Sequence, residues 1–339
     1  MIPRAIRSCS AVVLGWFCSL GLPAPPPEIV HGITVSTHGI GREWALDDRM
    51  EPAFREIRSV GAGWVAIHPY AGIAADGTVR FEDFAPDAPP AHVVRPIRLA
   101  HEFGLKILIK PHLAYWGSPF RWRGEIAFDE PEEWTRFFDG YGRWIVKLAA
   151  AAREADGFVV GTELDRTIDH ESDWRRLIAR VRGETQAPIT YAANWTDFER
   201  VPFWDALDVI GIQAYFPLTA EGVTDEASIR AGWERRMTEL RDYARRHYRN
   251  IVFTELGYDR SLRAPWMPWE PDRDTEDAAR DLQTTCLRLA LDAIAREPTV
   301  VGVFLWKWFP EPHPVGRDFP LADARTKAVL RAAWGKNAS

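Results

Sequence analysis

Eight short apolar runs, separated along nearly the whole chain by stretches of helical period, constrain the fold more than any other feature. They lie at residues 32–36, 63–68, 105–110, 158–162, 189–192, 209–213, 251–254 and 301–305. Several are continuous Val/Ile/Leu runs without polar alternation, which suits strands of a parallel sheet covered on the outside by helices. Between them, Trp134, Phe137, Phe138, Tyr141, Ile145, Leu148 and Ala152 form one apolar helical stripe, entered through Pro131 and ended at Asp156-Gly157. A second stripe carries Trp174, Leu177, Ile178 and Val181. Eight strand–helix units in about 310 residues predict an α/β fold of the (β/α)8 TIM-barrel type, as one domain at 32–335. No Ser/Gly-rich linker divides it. The fifth unit is the short one: about 16 residues separate the fifth and sixth runs, room for a single short helix near 201–206.

Ahead of the barrel, Arg4 and Arg7 precede an uncharged run from Ala11 to Leu22 and a Pro-rich stretch from Pro23 to Pro27. This order predicts a secretory signal peptide at 1–24, a Pro-rich linker at 25–31 and a secreted or periplasmic protein. The run of about 12 residues is short of the ~20 that a membrane-spanning helix needs, so no integral membrane domain is expected in the mature chain. Loss of the leader removes Cys9 and Cys18 and leaves Cys286, on the helical stripe Leu282, Cys286, Leu289, Ala293, as a core residue. The formal net charge of -6 gives no electrostatic reason to bind nucleic acid.

In a barrel of this type the functional groups follow the C-terminal ends of the strands. Those positions read His68-Pro69-Tyr70, Lys110-Pro111-His112, Thr162-Glu163-Leu164, Asn194-Trp195, Gln213-Ala214-Tyr215, Thr254-Glu255-Leu256 and Trp306-Lys307-Trp308. Flat aromatic faces beside amides, hydroxyls and imidazoles are the ingredients of a sugar site. Glu163 and Glu255 end the fourth and seventh runs, each inside Thr-Glu-Leu, so a barrel directs them at one bond from two sides. Glycoside hydrolysis needs such a carboxyl pair, one to protonate the departing oxygen and one to attack or to activate water. A rim ion pair is the alternative for either Glu taken singly.

The segments Lys110-Pro111-His112, Trp122-Arg123-Gly124, Gly161-Thr162-Glu163-Leu164, Tyr191-Ala192-Ala193-Asn194-Trp195, Phe203-Trp204-Asp205 and Ile210 to Leu218 occur in the order found in glycoside hydrolase family 113, which this chain resembles. Phe253 to Tyr258 and Phe304 to Trp308 continue the match. The resemblance implies a retaining (β/α)8 glycosidase acting on β-1,4-mannan, with Glu163 as acid/base and Glu255 as nucleophile. Thr162 stands where most of the wider clan has Asn, and the segments 114–120 and 70–90 look less like the family.

The candidate substrate-binding residues are Lys110, His112, Trp122, Asn194, Trp195, Tyr215, Trp306, Trp308, His68 and Tyr258. Of these, Tyr215 is placed to orient Glu255, and Trp306 and Trp308 share one face of an extended segment. Trp266-Met267-Pro268-Trp269 reads as a wall of the cleft or as a lid on the rim. No metal or other cofactor is called for: the His residues are scattered and no His-Glu-x-x-His occurs. The expected partner is an oligo- or polysaccharide. A β-glucanase or an exo-acting β-mannosidase would keep the same fold, and a noncatalytic sugar-binding barrel would have no use for both carboxylates.

Overall fold

The computed structural model describes residues 29–37, 39–85, 87–270, 276–310, 319 and 321–335. The leader at 1–24 lies outside them. Eight parallel strands close a barrel in sequence order: β1 (Val30–Val35), β2 (Trp64–Ile67), β3 (Lys106–Ile109), β4 (Gly157–Thr162), β5 (Ile189–Asn194), β6 (Ile210–Gln213), β7 (Ile251–Leu256) and β8 (Val300–Trp308), with β8 pairing back onto β1. The expected (β/α)8 barrel is borne out, each strand within a few residues of its apolar run. The first strand opens at Val30, inside the stretch read as linker.

Among the described residues seven α-helices cover the barrel: α1 (Asp47–Ser59), α2 (Ala91–Glu102), α3 (Pro131–Ala151), α4 (Glu171–Arg182), α5 (Glu226–His247), α6 (Asp277–Ile294) and α7 (Ala324–Trp334). The connection from β5 to β6 has two 3-10 turns instead, Phe198–Arg200 and Trp204–Ala206, because so short a link cannot run up and back as an α-helix. Trp204 closes it by donating its indole N–H to the Phe198 carbonyl at 3.0 Å.

Helix α3 begins where Pro131 needs no N–H partner, and the Glu130 amide donates to the Glu133 carboxylate at 3.3 Å. Its Phe137, Phe138, Tyr141, Ile145 and Leu148 are buried against the barrel, as are Trp174, Leu177, Ile178 and Val181 of α4. Two cores result. The larger one lies between strands and helices. The smaller is built from strands alone, by Ala66, Leu108, Val159, Ala192, Val252, Val301 and Phe304, and fills the barrel interior. Phe304 fits there because Gly32 faces it: a Cβ at residue 32 would stand 2.4 Å from the Phe304 ring. Cys286 is buried in α6, where burial pushes its thiol pKa up.

A three-stranded sheet not read from the sequence extends the barrel mouth. Its strand Tyr70–Ile73 lies antiparallel to Val79–Arg80 and parallel to His112–Ala114, with Tyr70 in register with His112. Since 70–73 follows β2 and 112–114 follows β3 directly, the sheet raises one wall beside the strand ends.

Candidate active site

Glu255 ends β7 and is 4% exposed. The ends of β3 and β6 supply its partners. The Lys110 ammonium, wholly buried, bonds Oε1 and also donates to the Thr254 carbonyl at 3.2 Å. The Tyr215 hydroxyl donates to Oε2 at 2.8 Å. His112 Nε2 stands 3.7 Å from Oε1, beyond hydrogen-bond range. Burial, and then the Glu255 charge, hold the Tyr215 phenol well above the ordinary tyrosine pKa, so it stays a donor. Burial draws the Lys110 pKa below that of an ordinary lysine, against the opposing pull of Glu255. A carboxylate gripped through both oxygens by a cation and a phenol is fixed in direction, as a nucleophile must be.

Glu163 follows β4 with φ at 50°, the left-handed region, which costs a side chain of this type about 1 kcal/mol. The turn is held by the Glu163 N–H on the Ala192 carbonyl at 2.9 Å and by the Leu164 N–H on the Tyr191 hydroxyl at 2.8 Å. Thr162 does not face a ligand as a side-chain donor; its hydroxyl donates to the Pro111 carbonyl at 3.0 Å. The Glu163 pKa is raised by burial, with Glu255 adding to the rise and Arg123 working against it. Arg123 donates to Glu163 Oε2 at 3.0 Å. The two carboxyl groups thus stand in different surroundings, Glu255 held by Lys110 and Tyr215 and Glu163 by Arg123.

Beyond Glu163 lies a third carboxyl group. Asp165, 6% exposed, has its pKa pushed up to about 8 by burial, then by Asp197 and Glu163. Its Oδ2 receives the Asn194 amide at 3.5 Å, which orients Asn194 at the end of β5. On β6, Gln213 accepts from the Thr254 hydroxyl at 3.0 Å, and its amide reaches toward Glu163.

The floor beside Glu255 is aromatic. Trp306 stacks on His112 at 5.9 Å and lies tilted on His68 at 5.2 Å, with Lys110 over its ring. His68 bonds the Ser36 hydroxyl at 3.1 Å through Nε2. Burial, then nearby cations, lower the pKa of both imidazoles well below the usual value, so they are neutral. His68 Nδ1 and both His112 nitrogens are buried without a hydrogen-bond partner.

Trp195 stacks on Trp269 at 5.5 Å, which sets the Trp266–Trp269 segment beside the end of β5. On the other side Trp116, 60% exposed, leans on Tyr70 at 5.2 Å. Trp122 is half-buried and folds over Gly124, where a Cβ would meet its ring at 2.1 Å.

Two expected binders lie elsewhere. Trp308 is 1% exposed and packs in the larger core. Between Ile33 and Val35 the partner residues on β8 advance from Leu305 to Trp308, an extra residue that reverses the facing, so Trp306 and Trp308 do not share a side. Tyr258 is 4% exposed and points into the helix layer toward Cys286 and Trp233, its carbonyl receiving the Gln283 amide at 2.7 Å. Conversely Arg123, Asp165, Tyr70 and Trp116 belong to the site and were not singled out. Arg123 stood within a quoted motif. Trp116 lies in the segment least like the family, where no motif could point to it. Among the described residues no group of three or more His, Cys, Asp or Glu could hold a metal.

A family profile for Glycoside Hydrolase Family 113 matches residues 35–316. Among solved structures, the GH113 β-mannanase AaManA from Alicyclobacillus acidocaldarius, in complex with ManMIm, is 25% identical, with 91% of this chain and 98% of that one covered and a TM-score of 0.77. A GH113 β-1,4-mannanase is 22% identical over 91% of this chain and all of the other, with a TM-score of 0.78, a likeness of fold. The fold likeness extends to a β-glucuronidase from Ruminococcus gnavus, 13% identical, with 91% of this chain and 50% of that one covered and a TM-score of 0.61. No curated protein matches the chain.

Proposed function

The chain belongs to glycoside hydrolase family 113, and on that premise we propose that it is a retaining β-glycosidase that cleaves β-1,4-linked mannan or a mannan-like polysaccharide. The observation that carries the reading is the unequal carboxyl pair: Glu255 gripped by Lys110 and Tyr215, Glu163 with its pKa raised by burial. Glu163 gives its proton to the glycosidic oxygen as Glu255 attacks the anomeric carbon and the leaving sugar departs. The resulting ester neutralises Glu255, which removes a negative charge near Glu163 just when Glu163, now ionised, must take a proton from water. That water displaces Glu255 and leaves a hydroxyl in the original configuration. Neutral His68 and His112, Asn194 and the Trp306 ring are suited to hold the sugar. The relative at 25% identity is a β-mannanase, which supports mannan over other β-glycans.

The same reading has the protein exported through residues 1–24; full-length protein recovered from the cytoplasm, with an intact N-terminus by mass, would overturn that part. The main test is hydrolysis of manno- and gluco-oligosaccharides, with the first-formed anomer followed by NMR and the products by mass. β-Anomer first from mannan fragments is the expected result. α-Anomer first would exclude the double displacement. Gluco-oligosaccharides alone, or single sugars released from one end, would mark a β-glucanase or an exo-β-mannosidase. No turnover of any of these β-glycans would favour a binding barrel.

A further inference from the structure

The cation paired with Glu163 sits on a turn built to hold it. Arg123 opens the 3-10 turn Arg123–Glu125, over which the Trp122 ring folds in the space that Gly124 leaves. Its Nε donates to the Leu113 carbonyl at 3.2 Å, tying the guanidinium to the strand His112–Ala114, and its terminal nitrogen donates to Glu163 Oε2 at 3.0 Å. Both side chains are largely buried, at 12% and 17% exposure, so this is not a solvated surface pair. A general acid facing a fixed cation presents a conflict, since the cation favours the ionised form that cannot donate.

The geometry resolves it through the two oxygens. A guanidinium only donates, so Oε2 must remain an acceptor in both charge states of Glu163, and the acidic proton must ride on Oε1. We propose that Arg123 is a positioning residue for the acid/base, which fixes which oxygen of Glu163 carries the proton and steadies the carboxylate once that proton has gone. The proposal rests on the assignment of Glu163 as acid/base and goes beyond it.

A consequence follows for pH. The groups facing Glu163 are the cations Arg123 and Lys110, the carboxyls Glu255 and Asp165 and the phenols Tyr191 and Tyr215. Burial sets the upward direction, and Arg123 is the largest of the opposing influences. Its removal lets burial act less opposed, so the basic limb of the rate profile moves to higher pH.

The test compares Arg123→Gln, Arg123→Lys and Glu163→Ala on a manno-oligosaccharide and on dinitrophenyl β-mannobioside, whose leaving group needs no proton. In Arg123→Gln the basic limb of kcat/KM on the oligosaccharide should rise by about one pH unit. Arg123→Lys restores the charge and so the limb, yet kcat stays low because a flexible lysine lacks the rigid planar fork that spans from the Leu113 carbonyl to Glu163 Oε2. An unchanged limb in a folded Arg123→Gln, with kcat/KM within about twofold of wild type, overturns the proposal. If Arg123→Gln does not fold, the Lys variant decides: wild-type kcat overturns it, and reduced kcat with a wild-type limb supports it. Glu163→Ala separates the two ideas: near-equal losses of kcat/KM on the oligosaccharide and on the activated substrate remove the acid/base assignment itself. A loss confined to the oligosaccharide, with the limb unmoved in Arg123→Gln, removes only the role of Arg123.

Discussion

The Tyr215 hydroxyl, two residues past the end of β6, donates to Oε2 of Glu255 at the end of β7 at 2.8 Å. Adjacent barrel strands bring these residues together across 40 positions of sequence. The phenol is buried, with its pKa well above the ordinary tyrosine value, so it stays a donor and sets the rotation of the carboxylate.

Tyr215→Phe keeps the ring and deletes the donor. Its kcat should fall by about ten- to a hundredfold, with the far-UV spectrum unchanged. A wild-type kcat in this variant would mean that Tyr215 only packs and that Lys110 alone orients Glu255.

Asp165 makes stability itself depend on pH. Its pKa is about 8 in the folded protein against 3.8 for an ordinary aspartate, so the folded state binds the extra proton between those values and stability falls as pH rises through that window. Asp165→Asn, neutral at every pH, should remove that slope. The melting temperature of the wild type should therefore drop more between pH 5 and 8 than that of the variant, a differential on the order of a few kcal/mol. Parallel melting curves would show that Asp165 ionises without cost.

Trp306 and Trp308 should respond in opposite ways. Trp308→Ala empties part of the core and should cost about 3–5 kcal/mol of stability, with little change in KM for the folded fraction. Trp306→Ala should melt close to wild type and lose sugar binding. Calorimetry beside oligosaccharide kinetics separates the two, and a KM effect at Trp308 would contradict the facing reversal at the end of β8.

Trp116 and Trp269 stand on opposite sides of the mouth and are 60% and 38% exposed. Each Ala variant should raise KM for long manno-oligosaccharides by roughly five- to tenfold, the value of about 1 kcal/mol per aromatic contact, while hydrolysis of an aryl mannoside is unaffected. Equal losses on short and long substrates would place these rings outside any sugar subsite.

Much of this protein could be read along the chain because its signals are local. Apolar runs, helical stripes and the residues just after each run depend on near neighbours, so the eight strands and the positions of Glu163, Glu255, Lys110 and Tyr215 were legible without coordinates. The short link after β5 was legible by arithmetic, and only its form, two 3-10 turns, was not.

What the tertiary structure decided are relations between distant segments. The sheet that joins 70–73 to 112–114 has no periodic signature, since its strands are three or four residues long and each needs its partner to exist. The facing of Trp308 turned on one extra residue against β1, which alternation along β8 alone cannot reveal. The Arg123–Glu163 pair spans 40 positions, and the raised pKa of Asp165 arises from burial beside Asp197. Sequence determines which groups stand at the ends of strands, because that is set by local pattern. Closure of the barrel determines which of them lose water and meet, and there Arg123 and Asp165 acquire their chemistry.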